Sequence, residues 1–171
     1  MKLAGTLFLV AGTGGYGFYM AGQITKRLQQ LQELYQLFLM LQGEIRYQNA
    51  LLEEAFGAMA GRLDGWRHHF LQNLCRNIAA GTGQALEVLW RQEAEKLLDD
   101  TCLNANDIQL LLELGGQIGY LDRSMQVTTI EFYKNRLSGI IEEAEQKKEG
   151  QCRLYRVLGL AGGTLAALVL L

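Results

Sequence analysis

The chain has 171 residues, a formal net charge of −2 and 49% hydrophobic residues, which leaves room for one domain with extensions and not for two sizeable cores. Near-neutral charge argues against nucleic acid as a partner, because a basic stripe is the usual footprint of such a surface. The chain contains no proline, and its middle is rich in Leu, Gln, Glu, Ala, Lys and Arg, so long uninterrupted helices are favoured.

In chain order, the first feature is residues 3–25, which carry no charge and include Leu7, Phe8, Leu9, Val10, Phe18, Tyr19, Met20 and Ile24. About 20 helical residues cross the hydrocarbon core of a bilayer, so this segment is long enough for a membrane anchor. A cleaved signal peptide is the rival reading, but no A-x-A site follows, and a retained anchor is expected. Gly12-Thr13-Gly14-Gly15-Tyr16-Gly17 also fits G-x-G-x-x-G. A dinucleotide fingerprint needs a preceding strand and a second strand with an acidic residue after the helix; the chain instead runs into a Leu/Gln-rich helical pattern. The glycines are therefore expected as helix-packing surface.

Leu28, Leu31, Tyr35, Phe38 and Ile45 recur at three- and four-residue intervals, which predicts an amphipathic helix over 26–48. Asn49 can cap a second helix through Leu52, Phe56 and Met59, ending near Gly61 and Gly65. Two further helices are predicted over 66–80 and 84–98, split by Gly81-Thr82-Gly83. Asn104 and Asp107 form a capping arrangement for a fifth helix. In the run 114–126, Gly115 and Gly119 fall one turn apart for tight packing; Gly119 can end the helix in the left-handed conformation, and Asp122 can cap the next. The last helix shows Val127, Ile130, Tyr133, Leu137, Ile140 and Ala144 on one face and continues into the uncharged residues 157–171. Those fifteen residues reach about 22 Å, short of the roughly 30 Å core; Leu154, Tyr155 and the snorkelling of Arg153 and Arg156 narrow the gap.

The expected fold is therefore an all-α antiparallel helix bundle with N- and C-terminal transmembrane helices: an anchor over 1–25, a bundle domain over 26–153 and a second anchor over 154–171. Lys26 and Arg27 after the first anchor, and Lys147, Lys148, Arg153 and Arg156 before the second, orient the middle domain toward the cytoplasm.

Chemistry-bearing constellations are lacking. His68 and His69 are adjacent, so on a helix they point about 100° apart and cannot share a metal. Cys75, Cys102 and Cys152 are widely spaced without a CxxC pair, which suits reduced thiols and neither a zinc site nor a thioredoxin-like motif. Trp66 and Trp90 are expected in the core. A protein without catalytic, metal or cofactor sites is the resulting expectation.

Four stretches resemble the stage III sporulation protein AB family of endospore-forming bacteria. They are the glycine-bearing apolar start before a basic Leu/Gln helix, Glu44-Ile45-x-Tyr47 with Leu52-x-Glu54-Ala55, Leu114-Gly115-x-x-Ile118-Gly119-x-x-Asp122-x-x-x-Gln126, and Tyr155-Arg156-x-Leu158-Gly159 before the apolar tail. The match runs in order along essentially the whole chain. One departure is Leu51, where the family usually has proline. The resemblance implies a bundle similar to the cytoplasmic domains of type II secretion F proteins, and a membrane platform in the mother-cell membrane facing the forespore. The implied partners are the secretion-type ATPase, stage III sporulation protein AA, and other channel proteins of the same operon, with self-association left open. Glu44, Tyr47, Asp122 and Gln126 are the expected interaction residues, with Gly115 and Gly119 shaping the hairpin. The alternative is a membrane-tethered helical regulator or small-molecule sensor.

Overall fold

The computed structural model describes residues 2–48, 51–81 and 83–170; for 2–11, 13, 14, 160 and 163–170 it describes the backbone alone. Among these residues there are six helices and no strand: α1 (Lys2–Tyr47), α2 (Leu52–Ala60), α3 (Gly65–Ala79), α4 (Leu86–Asp100), α5 (Ala105–Ile118) and α6 (Arg123–Leu170). The all-α bundle is thus as expected, with the predicted helix ends displaced by a residue or two. The backbone of residues 3–11 is helical, which removes the strand that a dinucleotide fingerprint requires.

The chain divides into two compact units, 29–141 and 1–28 with 142–171. In the 29–141 unit the three- and four-residue spacing of α1 buries Leu31, Leu34, Phe38, Leu41 and Ile45. Each buried Leu, Ile or Phe contributes about 1.5–3 kcal/mol of burial free energy, so this stripe commits α1 to the bundle centre. Hydrogen bonds fix the antiparallel neighbours. Gln117 Nε2 donates to the Tyr133 hydroxyl at 3.1 Å and Arg136 to Glu113 at 2.8 Å, which joins α5 to α6. Asn77 Nδ2 donates to Glu93 Oε1 at 3.0 Å between α3 and α4. Between α1 and α6, Gln42 Nε2 donates to Val127 O at 3.2 Å and to Glu131 Oε2 at 2.6 Å, while buried Lys134 donates to Gln42 Oε1 at 3.1 Å. Lys134 first, then Gln42, hold the Glu131 carboxyl below its usual range. This polar triad sits in an otherwise apolar interface, so a slip of α1 along α6 leaves it unsatisfied.

Trp90 lies at the centre of α2–α5. It is 1% exposed, donates Nε1–H to Leu111 O at 2.8 Å, and meets Phe56 and Phe70 at centroid distances of 5.7 and 5.1 Å. A Cβ at Gly115 would stand 2.0 Å from Trp90 Cδ1, so only glycine admits the ring. Trp66, the other tryptophan, is half-buried and donates to Glu33 Oε2 at 2.6 Å.

The caps refine the sequence reading. Asn104 and Asp107 make the reciprocal box, each bond 2.9 Å. The N-cap of α2 is Leu51, at φ −67° and ψ 156°, an extended geometry that proline also holds; Glu54 reaches back to its N–H at 3.2 Å. Asn49, expected as that cap, lies outside the described residues. Gly81 follows the α3 C-cap at φ +63°, where glycine is the residue of least cost. Gly119 does not do this: it closes α5 at φ −72°, right-handed, because Gln126 supplies the donor that a left-handed cap would otherwise bring.

In the unit of 1–28 and 142–171, the start of α1 runs antiparallel to the end of α6. Cys152 Sγ lies 3.6 Å from Ala21 O, the Arg156 guanidinium sits 5.7 Å over the Phe18 ring, and Glu143, bonded to Lys147, also feels the charge of Arg27. A Cβ on Gly17 would fall 2.5 Å from Tyr155 O and 3.2 Å from the Gly159 Cα, so this glycine serves packing, whereas Gly12, Gly15 and Gly22 have open space at their Cβ positions. Among the described residues no helix is long and apolar enough to cross a membrane. The expected terminal spans therefore do not meet that requirement where side chains are described; Leu7, Phe8, Leu9, Val10 and the tail from Leu165 lie outside those side chains.

Gly115→Ala is expected to destabilise the fold by about 1–3 kcal/mol through overpacking against Trp90, with a red-shifted tryptophan emission. Gly119→Ala, whose Cβ would meet Leu86 at an ordinary 3.4 Å, is expected to be neutral or slightly stabilising in the same urea titration. Equal losses from both would refute the seat. In the other unit, Gly17→Ala should lower disulfide formation between Ala21→Cys and Cys152. Gly22→Ala, with open space at its Cβ, should leave it unchanged.

Candidate functional site

Helix order brings three connections to one end of the 29–141 unit: the close of α1 with the start of α2, the turn between α3 and α4, and the turn between α5 and α6. A groove of about 850 Å³ opens there, lined by Leu51, Ile78, Gln84, Gly119, Leu121 and Gln126 among others. Beside it the helix ends expose apolar groups out of step with the core periodicity: Tyr47 is 81% exposed, Leu51 71%, Tyr120 71% and Met125 49%. Large side chains left in water at element ends are what a docking face displays.

The six residues singled out in the sequence separate into different roles. Gly115 seats Trp90. Gly119 borders the groove. Asp122 Oδ1 accepts from the Met125 N–H at 3.0 Å and from the Ser124 hydroxyl at 2.9 Å, which caps α6. Those two bonds, the backbone one foremost, hold its carboxyl below the usual range. Gln126 Nε2 donates to Ile118 O at 2.9 Å, satisfying a carbonyl at the end of α5. Glu44 is buried on α1 and paired with Arg62, and its Oε2 has no hydrogen-bond partner. Tyr47, by contrast, stands open. Asp122 and Gln126 thus build the turn, and Tyr47 with the groove presents surface. Leu51, Tyr120 and Met125 are absent from the sequence selection; their signal is an apolar residue off the helical stripe beside a turn.

His68 meets the Ala60 carbonyl at 2.7 Å and stacks edge-on with His69 at 5.5 Å. Among the described residues no three His, Cys, Asp or Glu side chains are grouped to hold a metal. The three cysteines are free, and burial pushes the Cys75 thiol up, which disfavours the reactive thiolate.

A six-helix all-α chain whose buried polar bonds go into turns and registers, with apolar groups exposed at one end, is in class a helical-bundle protein. The chain belongs to the stage III sporulation protein AB family, whose sequence model matches residues 2–171, and so takes its place among sporulation proteins. It is 27% identical over 171 residues to stage III sporulation protein AB of Bacillus subtilis (strain 168), covering 100% of this chain and 99% of that protein. No solved structure matches it.

The Asp122 cap gives a pH prediction. Its native pKa is depressed, so its contribution is present above the unfolded aspartate value of about 3.9 and is lost as pH falls through the lower native value. Thermal melts of Asp122→Ala should lie furthest below the parent above about pH 5, with the gap closing toward pH 3. Asp122→Asn, which keeps an acceptor, should show a smaller gap. A gap independent of pH would show that the ionised carboxylate is not what caps α6.

Proposed function

We propose that this protein is a non-enzymatic membrane platform in sporulation. In this reading it sits in the mother-cell membrane facing the forespore, anchored by its two apolar ends, with the 29–141 unit on the cytoplasmic side. The unit docks the secretion-type ATPase, stage III sporulation protein AA, and relays its work to the channel proteins of the same operon. The similarity to type II secretion F cytoplasmic domains, which the motifs imply, belongs to the same proposal.

The observation that carries the docking reading is the 850 Å³ groove at this end, with Tyr47 and Tyr120 exposed at the nearby helix ends. Interface anchors are enriched in Tyr and act through fully desolvated pockets. The anchoring reading rests on the uncharged runs at both ends and on Phe18, Tyr19, Leu154, Val157 and Leu158, all exposed. Tyr47→Ala with Tyr120→Ala should weaken co-purification with the ATPase about thirtyfold or more, with the melting temperature preserved. Undiminished co-purification would sink the docking face, and extraction of the protein from membranes by alkaline carbonate would sink the anchors.

The groove volume also falls in the range of small-molecule pockets, about 300–1,000 Å³, which favours the sensor as second reading. A metabolite that raises the melting temperature of the parent but not of Gln84→Leu would mark that function. The platform reading expects no such ligand.

A further inference from the structure

A second groove, of about 580 Å³, lies within the unit of 1–28 and 142–171 and is lined by Thr25, Lys148, Glu149, Arg153, Arg156 and Val157 with the Cys152 wall. We infer that it holds the phosphate headgroup of an anionic phospholipid, an inference that rests on the membrane reading above.

The lining carries three cations against one carboxylate. No ion pair among the described residues engages Lys148, Arg153 or Arg156, whereas the neighbouring Lys147 is paired with Glu143. The Thr25 hydroxyl turns back to Ala21 O at 3.2 Å, so the polar character of the groove is cationic. Arg156 is held by its approach to the Phe18 ring at 5.7 Å. A guanidinium fixed by a ring face keeps its edge N–H groups free for phosphate oxygens.

Position selects the source of the phosphate. The groove lies where the charged stretch ends: beyond Arg156 the chain carries no charge to residue 171, and residues 3–25 of the paired helix carry none. Phe18, Tyr19, Val157 and Leu158 are exposed on that uncharged side. A cationic recess bordered by exposed apolar side chains accepts a headgroup and its acyl chains together. Free phosphate gains nothing from the apolar border.

The test uses the full chain in nanodiscs containing equal phosphatidylglycerol and phosphatidylcholine, followed by detergent exchange and measurement of the phospholipid retained per chain. The parent should retain phosphatidylglycerol over phosphatidylcholine by about tenfold or more. The triple variant Lys148→Gln, Arg153→Gln, Arg156→Gln should lose that preference while its helical content, melting temperature and resistance to carbonate extraction stay unchanged. Lys147→Gln, outside the groove, should keep it. A parent that stays inserted yet retains both lipids equally overturns the lipid site alone. Displacement of the lipid by millimolar inorganic phosphate overturns it in favour of a free anion. A parent extracted by carbonate overturns the membrane reading itself.

Discussion

The 29–141 unit depends on one contact, the seating of the Trp90 indole against the bare backbone of Gly115. The ring approaches α5 so closely that no Cβ fits at that position, and its N–H is satisfied by Leu111 O only at this separation. Phe56 and Phe70 close on the ring from α2 and α3. Four helices therefore meet through one side chain, and an indole buried without its hydrogen bond would cost about 1–3 kcal/mol. The seat also sets how far α4 lies from α5, and thereby the width of the groove that Leu86 and Gly119 help to line.

The sequence made some of this legible. The Asn104–Asp107 box and the Asp122 cap are local, with donor and acceptor three residues apart, so spacing alone reveals them. The apolar stripe of α1 is equally plain, since its period is set by helix geometry. Gly115 and Gly119 look alike in the sequence yet differ in the fold, because only the indole on another helix distinguishes them. The right-handed close at Gly119 was illegible for the same reason: Gln126, seven residues on, satisfies Ile118 O from the next helix. Glu44 shows the limit most clearly. It reads as an acid beside a tyrosine, but it lies buried on α1 and pairs with Arg62 of the α2–α3 connection.

These placements change what the family's polar motif residues mean for the proposed platform. Asp122 Oδ1 and Gln126 Nε2 are bonded inside the turn, so one effect of these residues on a partner is to hold the turn's shape. For direct contact the groove offers Glu53, Asn77, Gln84 and Arg123 beside its apolar lining, and Tyr47 and Tyr120 are exposed at helix ends. Helix ends at one pole of a bundle are rigid on one side and open on the other, which limits the ordering cost of association. A partner meeting this face gains area from side chains whose backbones are already fixed.

The terminal helices pose a problem that their glycines both create and answer. Gly12, Gly14, Gly15, Gly17 and Gly22 in the first, and Gly159, Gly162 and Gly163 in the second, dilute the apolar content. No described helix reaches the level needed to cross a membrane alone. Yet the backbones at Gly17 and Gly159 can come together because Gly17 carries no side chain. Gly17, Ala21 and Cys152 are buried where the two helices meet. The surface left outward carries Phe18, Tyr19, Leu154, Val157 and Leu158 together with Gly12, Gly15 and Gly22. A mean along one helix counts residues that lipid would never meet, whereas insertion depends on the surface of the pair. In the proposed membrane reading, insertion therefore depends on the pairing that Gly17 permits.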